Sequence, residues 1–223
     1  MSEGIRRLRI EILGEVPYRP MLALQRQRHA EVIGGADDTL FLLEHPAVVT
    51  LGKNCGAKNV LLAPAALAAQ GIDLVETDRG GDVTFHGPGQ LVGYPIVKLD
   101  GAEQDVKAYV FKLEELMIRT VADFGVVATR SEGLRGVWVG KDKIAAIGVR
   151  IAQWTTLHGF ALNVTTDLHR FDCIIPCGLR GRGVTSLTQV LGKKVAMSDV
   201  IARLAAHVGP VLGRAACAIE ARE

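Results

Sequence analysis

Between residues 136 and 164 the chain passes through three strand-like runs in quick succession, 136–140, 143–151 and 156–164. The stretch Val137-Trp138-Val139-Gly140-Lys141-Asp142-Lys143-Ile144 reads as a hairpin with its turn near Lys141-Asp142. A hairpin pairs its strands antiparallel, so the second half of the chain commits to a sheet with antiparallel character. Alternation over 7–13 and the short apolar runs 39–43, 48–51 and 91–99 add further strands; Pro95 favours an edge or a bulge for the last. Helical spacing is clearest over 103–124, where Val106, Tyr109, Val110, Leu113, Met117, Val121 and Phe124 repeat and Gly125 closes the segment. Other helices are expected from Pro20 at a first helical position to Ile33, over 64–70, and from a Ser198 cap through Ile201, Leu204, Ala205 and Val208. Strands dominate and helices are segregated. The expected class is α+β with a mixed, largely antiparallel sheet in a single domain spanning 1–223.

Glycine is the compositional anomaly: 25 of 223 residues, roughly 11% against a usual figure of about 7%. Much of it clusters at 79–93 and 178–183, which suggests tight loops close to a ligand. A net charge of +2 is too small to argue for nucleic acid or a membrane surface. No apolar run reaches the length of a membrane span, and the first residues lack the apolar core of a signal peptide. The four cysteines (55, 173, 177, 217) make no disulfide framework and fit a reducing cytoplasm.

Four segments carry residues suited to chemistry. In Arg79-Gly80-Gly81-Asp82-Val83-Thr84-Phe85-His86-Gly87-Pro88-Gly89-Gln90, low side-chain bulk lets backbone N–H groups approach a ligand, with Arg79 and His86 as polar contributors. The same string also reads as two turns flanking a short strand. It lacks the dinucleotide and P-loop patterns. Lys143, opening Lys143-Ile144-Ala145-Ala146-Ile147-Gly148, either marks a solvated strand end or stands beside a reactive centre. In the 156–164 strand, His158 is either a satisfied core histidine or a site residue, and Gly159 and Ala161 leave room for an apolar substrate. Cys177 lies between Pro176 and Gly178, on an expected sharp turn near Arg180 and Arg182. It reads as an inert small residue or as a nucleophile whose thiolate a nearby cation would favour. His169, Cys173 and Cys177 are spaced by four, but Pro176 spoils the helix a zinc site would need, so no metal is expected.

Taken together and in this order, these motifs resemble the lipoyl(octanoyl) transferases of lipoate biosynthesis. The matching strings are Arg79-Gly80-Gly81, Val83-Thr84, His86-Gly87-Pro88-Gly89-Gln90-Leu91, Tyr94-Pro95-Ile96, the Lys143–Gly148 run, His158-Gly159-Phe160-Ala161-Leu162-Asn163 and Pro176-Cys177-Gly178. The likeness covers about residues 40–187. It implies the biotin/lipoate protein ligase-like fold and no cofactor. It implies transfer of an octanoyl group from acyl carrier protein to a lysine of lipoyl domains, those of 2-oxoacid dehydrogenase complexes and the glycine cleavage H protein. Cys177 then matches the acyl-thioester nucleophile and Lys143 its partner. Arg79, Gly80, Gly81, Asp82, Val83, Thr84, Phe85 and His86, with Ala146, Ile147, Gly148, Gly159, Phe160 and Ala161, match the segments lining the acyl pocket. Two positions depart from the pattern: Asp82 replaces a longer polar residue and Phe85 a tyrosine. Alternation should send these two side chains to opposite sides, so that only one faces the pocket.

Thioester exchange suits a cysteine nucleophile, and a lysine cation beside it would favour the thiolate. The rival within the same fold, an ATP-dependent lipoate–protein ligase, would want a longer glycine-rich nucleotide loop and no cysteine nucleophile. A non-catalytic module that binds the carrier protein would form no covalent adduct.

Overall fold

The computed structural model describes residues 5–55, 59–175 and 182–221. Cys177 and its neighbours Pro176, Gly178 and Arg180 lie outside these described residues. In chain order the strands are β1 Arg7–Glu15, β2 Asp38–Glu44, β3 Val48–Leu51, β4 Asp73–Glu76, β5 Val83–His86 and β6 Gln90–Ile96. They continue with β7 Thr129–Ser131, β8 Leu134–Val139, β9 Asp142–Ala152, β10 Thr155–Asn163 and β11 Ala215–Ala221. The helices are α1 Tyr18–Ile33, α2 Pro64–Ala69, α3 Val106–Ala122, α4 Leu187–Leu191 and α5 Met197–Leu212.

An eight-stranded sheet has the order β11-β1-β2-β6-β10-β9-β8-β7, and a small sheet the order β4-β3-β5. In the large sheet β1 pairs in parallel with β11 and β2, and every other neighbouring pair is antiparallel. The mixed, largely antiparallel α+β expectation is therefore met.

Strand β2 is buried on both faces, and its alternate residues divide two cores. Leu40 and Leu42 join Leu113, Leu116 and Met117 of α3 and Leu204 and Val208 of α5 on one face. Phe41 and Leu43 join Met21 of α1, Val92, Tyr94 and Ala161 on the other. The small sheet brings its own cluster, in which Val83 and Phe85 pack with Phe171 and Ile174.

Several local expectations need correction. Helix α1 begins at Tyr18 after Pro17, so Pro20 is its third residue; the first turn needs no N–H partners, so proline is tolerated there. Helix α5 is preceded by Ala196, and Ser198 lies inside its first turn without capping it. Helix α3 starts at Val106 because the Asp105 carboxylate accepts from the N–H groups of Lys107 and Ala108. The β8–β9 turn falls on Gly140-Lys141, with Val139 paired to Asp142. Pro95 sits in a central strand, not at an edge. The β6–β10 ladder runs from Asn163↔Gln90 to Phe160↔Gly93 and resumes only at the Lys98↔Thr155 bridge. The irregularity lies opposite Pro95 and is centred on His158, whose φ is 60°. Strand β11 carries no strand signal that sequence reading recognised; its place is set by parallel pairing with β1.

Candidate active site

A cavity of about 350 Å³ lies between the small sheet and the α1 side of the large sheet. Its walls include Arg79, Gly81, Asp82, Val83, Thr84 and His86 from the glycine-rich segment and Lys143, Ala146, Ile147 and Gly148 from β9. Gly159, Phe160 and Ala161 of β10 complete the predicted set. Two residues expected in this wall lie off the cavity. Phe85 points to the opposite face of β5, where it is buried against Phe171 with ring centroids 5.4 Å apart. Gly80 is tied by its N–H to the Val149 carbonyl at 2.9 Å. The alternation expected for Asp82 and Phe85 is thus what the structure shows.

Sequence reading missed Tyr18, Gln90, Tyr94 and Asn163 as cavity residues. Gln90, Tyr94 and Asn163 lie inside strings that matched the family, but Tyr18 carries no local signal. It arrives only because α1 packs across the sheet.

Close approach of backbones explains the small residues better than substrate space alone. A Cβ on Gly159 would stand 2.1 Å from the Gly93 carbonyl oxygen and 2.7 Å from Pro95 Cδ. One on Gly148 would stand 2.9 Å from the Gly80 oxygen and 3.1 Å from Arg79 Cδ. These glycines therefore let β6, β9, β10 and the Arg79 loop close on one another.

The polar groups form a fixed network. Arg79, buried, donates from Nη2 to the Thr50 carbonyl at 2.7 Å and to Thr50 Oγ1 at 3.0 Å, and from Nη1 to the Gly80 carbonyl at 3.2 Å. The Gln90 side-chain amide donates to the Phe85 carbonyl at 3.1 Å and to Asn163 Oδ1 at 2.9 Å. Its oxygen is left to accept from His86 Nδ1–H at 2.7 Å, which fixes the neutral tautomer of His86. Asn163 in turn donates to the Thr185 carbonyl at 2.9 Å. The Tyr94 hydroxyl donates to His45 Nε2 at 2.8 Å, while His45 Nδ1–H donates to the Val16 carbonyl. His158 Nε2–H donates to Asp78 Oδ1 at 2.7 Å, and the His158 main-chain N–H donates to Gln25 Oε1 at 2.9 Å.

Burial pushes His86 down to about 3, aided by the neighbouring His45 and Arg79. Burial also pushes His45 down to about 4 and lowers His158, and it raises the Tyr18 hydroxyl to about 12. Near neutrality the cavity therefore holds neutral imidazoles and phenols around the guanidinium of Arg79.

Lys143 is not a solvated strand end: it is only 7% exposed, and its side chain lines the cavity. Its main chain is bridged in parallel to Val184, with Lys143 N–H donating to the Gly183 carbonyl and Thr185 N–H to the Lys143 carbonyl, each at 2.9 Å. On the other side of the 176–181 segment, Leu61 N–H donates to the Cys173 carbonyl at 2.9 Å and Ile175 N–H to the Asn59 carbonyl at 2.8 Å. Both stems of the Cys177 segment are thus fastened, and Phe171 and Val184 near them line the cavity.

Cys173 is buried and its thiol donates to the Arg170 carbonyl at 3.0 Å; burial raises its pKa. Burial, then Asp82, likewise raises Cys55. Neither is set up as a thiolate. Among the described residues no group of three His, Cys, Asp or Glu side chains could hold a metal ion. No described helix is long and apolar enough to cross a membrane.

A sheet-floored cavity walled by a glycine-rich segment is the candidate site of a catalytic domain, and comparison with known proteins identifies the family. Residues 17–209 match the model of the lipoyl protein ligase A/B catalytic domain, and the chain belongs to that family. It is 47% identical over 205 residues to an octanoyltransferase of Caldicellulosiruptor bescii, covering 91% of this chain and 90% of that one. It is 49% identical over 211 residues to an octanoyltransferase of Chloroflexus aurantiacus, covering 93% and 95%. Among solved structures, a putative lipoate protein ligase from T. acidophilum with bound lipoic acid superimposes with a TM-score of 0.75. At 18% identity, over 98% of this chain and 90% of that one, it shares the fold.

Proposed function

We propose that this chain is an octanoyltransferase of lipoate biosynthesis that works through a Cys177 thioester with Lys143 as its proton-handling partner. One observation carries the reading. Lys143, the 79–86 segment and the β9–β10 wall surround a single cavity, and the chain that emerges from the Cys177 segment is bridged to Lys143 itself. The cavity volume falls within the usual range for small-molecule sites, about 300–1,000 Å³. Val83, Ala146, Ile147, Phe160 and Ala161 supply an apolar lining that suits an eight-carbon chain. The T. acidophilum neighbour carries lipoic acid, a chain of the same length, in the same fold.

In the first step the Cys177 thiolate attacks the carbonyl carbon of the octanoyl thioester on acyl carrier protein. The carbon–sulfur bond to the carrier breaks, and the departing thiolate takes a proton from Lys143. In the second step the amine of a lipoyl-domain lysine attacks the acyl-Cys177 thioester. The amide forms, Cys177 leaves as thiolate, and Lys143 recovers the proton the amine gives up. A main-chain or Arg79 donor that meets the tetrahedral oxyanion would lower both barriers.

Intact-mass measurement after mixing with octanoyl-acyl carrier protein, without ATP, tests this reading. One octanoyl adduct, mapped to Cys177 and absent in Cys177→Ser, is the expected result. An adduct on Cys173, or a requirement for ATP, overturns it.

A further inference from the structure

Trp138 is 1% exposed, and among the described residues its indole Nε1 has no hydrogen-bond partner. It is nevertheless the meeting point of two cations. Lys143 Nζ stands 4.8 Å from the ring centroid and Arg182 Cζ 4.9 Å from it. Lys143 and Trp138 are cross-strand partners on β9 and β8, next to a register shift between Val137 and Trp138. Irregularities of this kind re-aim side chains beside active sites. Gly136 makes this one possible: its φ is 109°, and a Cβ there would stand 2.5 Å from the Ala145 carbonyl and 3.4 Å from Lys143 Cε. Glu114 of α3 accepts from Gly136 N–H at 3.1 Å and ties β8 to the helix layer. Arg182 is the first described residue after the Cys177 segment, and its Nη1 donates to Ser131 Oγ at 3.1 Å. Among the described residues the charged groups on the ring are Lys143 of β9 and Arg182; Asp142, next to Lys143 in the chain, accepts from Gly183 N–H at 3.1 Å.

We infer that Trp138 is a positioning residue of the acyl-transfer site: its indole ring holds the Lys143 ammonium and the Arg182 guanidinium, and so sets where the Lys143 charge stands at the cavity. The inference rests on the Cys177–Lys143 reading above. A cation over an aromatic ring is attracted by the ring quadrupole, most strongly over tryptophan and more so when desolvated. With no hydrogen bond at Nε1, packing and this attraction hold the pair. Leucine at position 138 would keep much of the packing and lose the attraction. Fluorine on the indole would keep the shape and weaken only the quadrupole.

The test uses the full chain carrying Trp154→Phe, which leaves Trp138 as the only tryptophan. Protein is prepared with tryptophan, 5-fluorotryptophan and trifluorotryptophan, and kcat, KM for octanoyl-acyl carrier protein and melting temperature are measured. The expected result is a stepwise fall in kcat with added fluorine, roughly 3- to 30-fold in all, with KM and melting temperature nearly constant. Trp138→Leu loses at least as much, and Arg182→Gln loses part of it in the unfluorinated protein. A kcat that ignores fluorination while Lys143→Ala is inactive overturns the inference and leaves the dyad standing. Wild-type kcat in Arg182→Gln overturns the shared platform. Wild-type kcat in Lys143→Ala overturns the dyad, and the positioning role with it.

Discussion

The two faces of the large sheet are built from alternate residues of the same strands, yet they differ in kind. On the α3–α5 face, Leu40, Leu42, Leu113, Leu116, Leu204 and Val208 close a core made of aliphatic packing. On the α1 face the strands meet a second sheet, and between them lie Arg79, His86, Gln90, Asn163 and Lys143, each at most 7% exposed. A dry face needs only shape and volume. A polar face has to provide partners for its buried donors and acceptors, and here a chain runs from Thr50 through His86, Gln90 and Asn163 to Thr185. The first face supplies stability, and the second spends part of that stability on holding an unusual site.

The sharpest way to separate them is to alter one face and look for a response in the other's property. Lys143→Ala, on the polar face, is expected to cut octanoyl transfer by about 10²- to 10⁴-fold, with the melting temperature moved little. A large loss of stability at this position would erase the distinction. Leu116→Ala, fully buried on α3, is expected to cost about 2–5 kcal/mol in urea unfolding while the folded enzyme keeps its kcat.

Titration offers a subtler contrast. His86 and His45 have folded pKa values lowered to about 3 and about 4 from an ordinary 6.5. Below about pH 6.5 the unfolded chain takes up protons that the folded chain refuses. Their contribution to stability is therefore complete above that pH and is lost as pH falls. The slope is up to about 1.4 kcal/mol per pH unit for each histidine. Urea midpoints between pH 7 and pH 5 should fall, since carboxylates stay ionised over most of that window. A flat profile would show that the polar face carries no such burden. The smallest effect is expected at the rim. Arg135 is exposed and lines the cavity, and if the proposed carrier-protein donor is acidic, Arg135→Glu should lower its kcat/KM a few-fold at low salt and not at high salt. An unchanged low-salt value would remove this residue from carrier encounter.

Much of the polar face was legible as strings. Periodicity located β9, β10 and α3, and the order of the glycine-rich, Lys143 and His158–Asn163 motifs pointed to one acyl pocket. Its legibility stopped where a residue's role depends on what lies across the cavity. Phe85 and Gly80 sit in the right string but on the wrong side of it, because side chains alternate and because Gly80 is held by Val149. Tyr18 sits in no string at all. Trp138 read as an ordinary strand residue until pairing set it beside Lys143 and the chain path brought Arg182 to the same ring.

What the amino-acid order decided by itself is local: which segments are strands, where glycine permits backbones to touch, and which chemical groups the chain possesses. These depend on near neighbours, and a single strand's alternation suffices to express them. What the tertiary structure alone decided is adjacency. The parallel strand β11, the irregular β6–β10 ladder at Pro95 and His158, and the bridge from Lys143 to Val184 join residues far apart in sequence. Such pairings depend on how whole layers pack, and no local pattern encodes them.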